Sequence, residues 1–254
     1  RSRDDVSQGS RQTINPEKLK NVLLKMLSEA GVQIRTYTFA SDTILEDNCV
    51  KGIVTESKSG REAIFSKVVI DCTGDGDVAA KAGAAFYKGR EDDGSMQPVT
   101  LMFKVAGVNE EQAVYPGSFE TNFPIPGGMI QDLAKEHLTA PAGHVLLYRS
   151  TIPGVVTVNM TNCIGVDGTN ARELSSAHQV CRMQMEEIVD FLRKYIPGYE
   201  NCYIISSASI IGVRETRHFI GKKTLTKEDI ENAVQHEDWA VKDAHFNFDV
   251  HNMS

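Results

Sequence analysis

The sequence predicts an α/β fold, and three observations carry that prediction. Apolar residues recur at spacings of three and four over 16–30 and again over 170–196, the signature of amphipathic helices. Short β-branched and alternating runs, bounded by Gly, Asn, Asp and Pro, fill much of the chain between them. The run "KVVIDCTGDGDVAAKAGA", residues 67–84, passes from an apolar strand through a glycine–aspartate turn into an alanine-rich helix.

Taken in order, "INPEKLKNVLLKMLSEAGVQI" offers Asn15 as a cap and Pro16 at the tolerated first helical position. Leu19, Val22, Leu23, Met26, Leu27 and Ala30 then share one face, and Gly31 ends the helix. A short strand is expected over 32–38, followed by an antiparallel meander that turns at Asp47-Asn48 and at Lys58-Ser59-Gly60. A further strand is expected over 68–71, with a second helix directly behind the turn. "KGREDDGSMQP" reads as a polar loop and "VTLMFKVAGV" as a strand. Residues 109–143, rich in Pro and Gly, read as loop with one short helix over 129–137. "HVLLYRS" and "GVVTVNMT" form a hairpin through Pro153-Gly154. From Asn170 onward, Leu174, Ala177, Cys181, Met185, Ile188, Leu192 and Tyr195 make a helical stripe that Pro197-Gly198 stops. "CYIISSASIIGV" is a strand running on into "RETRHFIG", and Thr226 with Asp229 forms a capping box for a last short helix.

A chain of 254 residues can bury a sizeable core, and 41% hydrophobic with 24% charged residues is ordinary for a globular protein. The net charge of -7, with Lys and Arg scattered, argues against a nucleic-acid partner, which needs a basic face. No apolar stretch is long enough to cross a bilayer, so no membrane partner is expected. Five cysteines (Cys49, Cys72, Cys163, Cys181, Cys202) lie far apart with no Cys-x-x-Cys pair, which favours reduced, mostly buried thiols and a cytoplasmic location. Arg1 is not an initiator residue, and the polar opening reads as an interior stretch of something longer.

The loop at 71–77 has three readings. Asp71, Asp75 and Asp77 can be turn and cap residues, with the glycines supplying tight backbone angles. They can hold Mg²⁺ for phosphoryl transfer, although the spacing is not that of an EF-hand and no downstream carboxylate completes a cage. Or the main chain passes close to a ligand at the carboxyl end of a strand, where a helix start favours a negatively charged group. The third is preferred, and no metal ligand set is expected.

With "VVIDCTGDGDVAAKAGA" goes a resemblance. The stretch is similar to the strand–turn–helix of bacterial FAD-dependent oxidoreductases with a glutathione-reductase-like FAD/NAD(P)-binding fold, whose members share an Asp-Ala-Thr-Gly-Asp-Gly-Asp turn. Cys72 stands where those members carry alanine. "NPEKLKNVLLKMLSEAGV", "QPVTLMFKVAGV", "DGTNARELSSAHQVCRMQMEEIVDFLRKYIPGYEN" and "IIGVRETRHFIGKKTLTKEDI" agree in the same order, so the resemblance covers nearly the whole chain. It implies FAD as cofactor, with Thr73, Gly74, Asp75, Gly76 and Asp77 beside it, and hydride transfer between the flavin and a small substrate. The family's opening Gly-x-Gly-x-x-Gly strand–turn and its closing flavin segment do not occur here, so the chain is expected to be an internal fragment.

"GVRETR" sets Arg214 and Arg217 three apart, suited to clamp an acidic substrate or to offset negative charge on reduced flavin. The plainer reading pairs one of them with Glu215. His218 and His251 are candidate proton donors, with a structural role the plainer alternative. Gln97 can reach a flavin ring through its amide or be an ordinary loop residue, His178 is read as helix packing or surface, and Asp167 as a turn residue. The expected organisation places part of a Rossmann-like FAD-binding domain with an inserted β-meander at 11–95. It places an antiparallel-sheet substrate domain at 96–213 and a return segment toward the flavin at 214–254. Two other functions remain open: a metal-dependent phosphotransferase using the Asp-rich loop, and a non-catalytic binding module of the same fold.

Overall fold

The structure, a computed structural model, describes residues 13–238 together with 240 and 241. In chain order these form α1 (Pro16–Glu29), β1 (Thr38–Glu46), β2 (Cys49–Ser57), β3 (Gly60–Phe65), α2 (Asp77–Lys81) and β4 (Phe86–Lys88). There follow β5 (Phe103–Ala106), β6 (Pro124–Ile125), β7 (Gly128–Met129), α3 (Ile130–His137), β8 (Leu147–Arg149) and β9 (Val156–Val158). The last are α4 (Ala171–Tyr195), β10 (Tyr203–Ser207), β11 (Arg217–Phe219) and α5 (Lys227–Glu231). Helices and sheets are mixed, as an α/β reading requires, and every ladder among the described residues is antiparallel. The chain divides into two compact units. One takes in the chain up to Thr36 with Pro98–Arg214; the other takes in Tyr37–Gln97 and the chain from Glu215 onward.

The first unit holds the main core. Its sheet runs β10-β5-β9-β8, and alternation along each strand turns Phe103, Val105, Leu147, Val156 and Val158 inward. The stripe read on α4 joins them: Ala177, Cys181, Met185, Ile188 and Leu192 are buried in the same cluster. Asn170 caps α4 by accepting from the Arg172 N–H at 3.0 Å. Ahead of the sheet, Val99 and Thr100 make single bridges to Cys163 and Gly212, so the long strand read in "VTLMFKVAGV" is regular only over its second half. The short helix expected over 129–137 is α3, and a two-residue hairpin of β6 and β7 precedes it. α1 forms as expected, with Asn15 Oδ1 accepting from the N–H groups of Glu17 and Lys18, but no residue of it is buried.

In the second unit the meander is as read. β1, β2 and β3 pair in order, with Asp47 and Asn48 both at positive φ in the first turn. Two expected strands do not form. Over 32–37 the chain is irregular, and Tyr37 at φ 56 breaks the extension before β1 begins. Residues 68–71 pair with no described strand, and Val68 and Ile70 are 73% and 80% exposed. β-branched composition favours an extended backbone, but a strand needs a partner ladder, and none of the described residues supplies one. Sequence reading also missed β4, which pairs with β11 in the register Arg217–Lys88, His218–Tyr87 and Phe219–Phe86.

Candidate active site at the glycine–aspartate turn

Asp71 and Thr73 build the turn. Asp71 Oδ1 accepts from the Thr73 N–H at 3.0 Å and from its hydroxyl at 2.7 Å, and Asp71 Oδ2 accepts from the Ala79 N–H at 2.8 Å. Thr73 Oγ1 in turn accepts from the Asp77 N–H at 2.8 Å. Two of the unpaired donors in the first turn of α2 are thereby satisfied from outside the helix. Burial pushes the Asp71 carboxyl up, but the bonds from Ala79 and Thr73 outweigh it and hold the group below the usual carboxylate range. The cap reading is therefore correct for Asp71.

Asp75 and Asp77 have different partners. Asp75 Oδ1 accepts from the Thr216 hydroxyl at 2.8 Å. The Arg217 Nη1 donates to the Asp75 carbonyl at 2.7 Å and to Asp77 Oδ1 at 2.8 Å. Arg217 is only 14% exposed, and its guanidinium lies 5.5 Å from the centre of the Phe86 ring. Residues 216 and 217, just ahead of and within β11, thus hold the turn by a hydroxyl and a half-buried cation. The three carboxylates do not converge. Among the described residues no group of three or more His, Cys, Asp or Glu is placed to hold a metal ion, so the phosphotransferase reading finds no support.

The two glycines of the turn answer different needs. Gly76, at φ 65, lies against Phe219, and a Cβ there would overlap the ring. Packing against β11 therefore accounts for Gly76. Gly74, at φ 87, has open space where its Cβ would be. The N–H groups of Gly74, Asp75 and Gly76 donate to no described residue, leaving successive peptide donors at an open turn. Such a run of N–H groups suits a ligand rich in acceptors and negative charge, as a dinucleotide is.

A second feature lies beside the turn. Glu215, 13% exposed, accepts from the Gln97 N–H at 3.0 Å through Oε2 and faces His218 Nε2 at 2.8 Å through Oε1. The His218 ring stacks on Tyr87 with centroids 4.9 Å apart and planes 10° from parallel, as their pairing across β4 and β11 dictates. A carboxylate fixes one ring nitrogen, and the imidazole, 42% exposed, keeps Nδ1 available to take or give a proton. Glu215 thus serves His218 where the plainer reading gave it an arginine.

The other sequence candidates separate. Arg214 belongs to the first unit, where Nη1 donates to the Pro98 carbonyl at 2.8 Å and to Thr100 Oγ1 at 2.7 Å. His251 lies outside the described residues. Gln97 meets Glu215 through its main chain. Asp167 is a turn residue, its Oδ1 accepting from the N–H and hydroxyl of Thr169. Thr216, Phe219 and Tyr87 were missed. For Thr216 and Phe219 the signal lay in the alternation of "RETRHF", which places Thr216 and His218 on one side of an extended chain and Arg217 and Phe219 on the other, whereas Tyr87 in β4 left no such trace.

No helix among the described residues is long and apolar enough to cross a membrane. All five cysteines are free thiols: Cys181 and Cys202 are buried, Cys163 half-buried, and Cys49 and Cys72 exposed. A comparison with curated proteins yields no match. The sequence profile of the family described as FAD dependent oxidoreductase matches residues 1–254. Turn, capping aspartate and anchoring arginine thus occur in a chain matched from end to end, and this protein belongs to the FAD-dependent oxidoreductase family, enzymes whose cofactor is FAD.

Proposed function

We propose that Thr73, Gly74, Asp75, Gly76 and Asp77 lie against FAD, in the Rossmann-like placement the family resemblance implies, and that the enzyme passes hydride between the flavin and a small substrate. The observation that carries this reading is the run of unengaged N–H groups at Gly74, Asp75 and Gly76 beside an open Gly74. Bound flavin supplies a centre that accepts or delivers a hydride, which no amino-acid side chain provides. The chain's own residues do the rest. Asp71 and Thr73 fix the turn, so its donors are ordered before the cofactor arrives. Arg217 neutralises Asp77 from behind, which keeps the turn from repelling an anionic ligand. His218 carries the proton that accompanies the hydride: a substrate O–H or N–H proton passes to Nδ1, and Glu215 offsets the charge of the imidazolium. Of the two arginines the proposal uses Arg217.

The test is a fluorescence titration of FAD into the protein and into Gly74→Val. The variant adds a side chain at an open position where a Cβ meets no described atom within 4 Å, at a left-handed φ of 87 that strains any L residue. It is expected to weaken FAD binding by about tenfold or more while keeping the far-UV spectrum. Equal affinity in the two would overturn the placement. His218→Gln is expected to hold FAD within about twofold of the native affinity and to alter the pH profile of turnover. An unchanged profile would remove His218 from the proposal.

A further inference from the structure

A cavity of about 210 Å³ lies entirely within the first unit. Lys104, Arg149 and Thr157 line it together with the apolar Ile14, Pro16 and Ile152. Lys104 stands opposite Thr157 in the β5–β9 ladder, and both alternate with core residues, so they face away from the core. The loop between β8 and β9 is fixed at Ser150, whose hydroxyl donates to the Ile152 carbonyl at 3.1 Å and accepts from the Ile152 N–H at 3.0 Å. The lining at Ile152 is therefore preformed.

Lys104 is half-buried, and its ammonium has no hydrogen bond or ion pair with any described residue. An anion in the cavity would give this half-buried cation an acceptor. Glu17, on which Lys104 acts weakly, is held chiefly by Lys20 at 2.8 Å. Arg149 adds positive potential while its guanidinium lies 4.3 Å from the centre of the Tyr115 ring. The start of α1 offers no donors here, because Asn15 already accepts from Glu17 and Lys18. One uncommitted ammonium, hydroxyl groups and an apolar lining suit a monoanion with a short hydrocarbon body better than a phosphate dianion, which favours runs of peptide N–H.

We propose that this cavity binds a small organic monocarboxylate, with the carboxylate on Lys104 Nζ and the Thr157 hydroxyl and the hydrocarbon against Ile14, Pro16 and Ile152. At about 30 Å³ for each water-sized volume the space takes roughly seven such volumes, enough for a ligand the size of butyrate. The site stands apart from the flavin reading, since its occupancy is measurable with or without FAD.

Isothermal titration calorimetry on the native chain with butyrate, its neutral isostere butyramide and inorganic phosphate tests the proposal. Butyrate is expected to bind at least about tenfold tighter than butyramide and tighter than phosphate. Lys104→Met, checked for an unchanged far-UV spectrum, is expected to lose about tenfold or more of the butyrate affinity, and Thr157→Val about threefold. No butyrate binding, equal binding of the two isosteres, or indifference to Lys104→Met would overturn the site. Phosphate binding the tighter would overturn the ligand class. Should Lys104→Met fail to fold, the ranking of the three ligands on the native chain decides the matter.

Discussion

Arg217→Met tests how the turn is held. The guanidinium donates to Asp75 O at 2.7 Å and to Asp77 Oδ1 at 2.8 Å, and both bonds leave with it. Hydrogen bonds involving a charged group are worth roughly 1.5–3 kcal/mol each when buried. Asp77 is 33% exposed, so water replaces part of its share and the lower end applies there. Methionine preserves an apolar stem near Phe86, which keeps the packing loss small. A destabilisation of about 3–4 kcal/mol is expected, read as a lower urea midpoint with an unchanged slope. Asp77→Asn alone is expected to cost less, because the Asp75 carbonyl still holds Arg217. The double variant isolates the ion pair, with a coupling of about 1 kcal/mol. A coupling indistinguishable from zero, at constant slope, would refute the view that Arg217 anchors the turn through Asp77.

Gly76→Ala brings a Cβ into the Phe219 ring at a left-handed φ of 65 and is expected to cost about 2–4 kcal/mol in urea unfolding, with part recovered in combination with Phe219→Leu. Asp71→Asn removes an acceptor whose folded-state pKa is depressed. The stability from that charge is complete above the unfolded carboxyl pKa and lost as pH falls through the folded value, so urea curves of native and variant converge in acid. Timed alkylation followed by mass spectrometry is expected to label Cys49 and Cys72 in the native state and the other three only on unfolding. Burial both shields the Cys202 thiol and pushes its pKa up to about 11.

Helices and hairpins were legible because their signals are local. The α4 stripe and its Asn170 cap, the α5 capping box of Thr226 and Asp229, and the Pro153-Gly154 turn each rest on residues a few positions apart. What failed depends on distant partners. "VVID" has the composition of a buried strand, yet whether it is one is decided by a neighbour elsewhere in the chain, and Val68 and Ile70 face outward. β4 and β11, three residues each and more than a hundred positions apart, carry too little pattern for sequence reading to pair them. The same limit hid the site's supports. Arg217 stood out in the sequence and Thr216 lies beside it, but their bonds to Asp77 and Asp75 span 140 and 141 positions.

A repeat inside the chain separates what is ordinary in the turn from what is particular to it. Asp71-Cys72-Thr73 and Asp167-Gly168-Thr169 make the same arrangement, with the aspartate accepting from the threonine N–H and hydroxyl, and each lies just ahead of a helix. Before α4 this device leads through the Asn170 cap, with Glu173 accepting from the Asp167 N–H, straight into a long helix packed on the core. Before α2 the chain instead inserts Gly74, Asp75 and Gly76, two of them at positive φ, and recruits Thr216 and Arg217 to hold them. Capping explains Asp71 and Thr73, and Phe219 explains Gly76. A φ of 87 accounts for glycine at 74, and the successive N–H groups of Gly74, Asp75 and Gly76, which donate to no described residue, are what the proposed placement of FAD would engage.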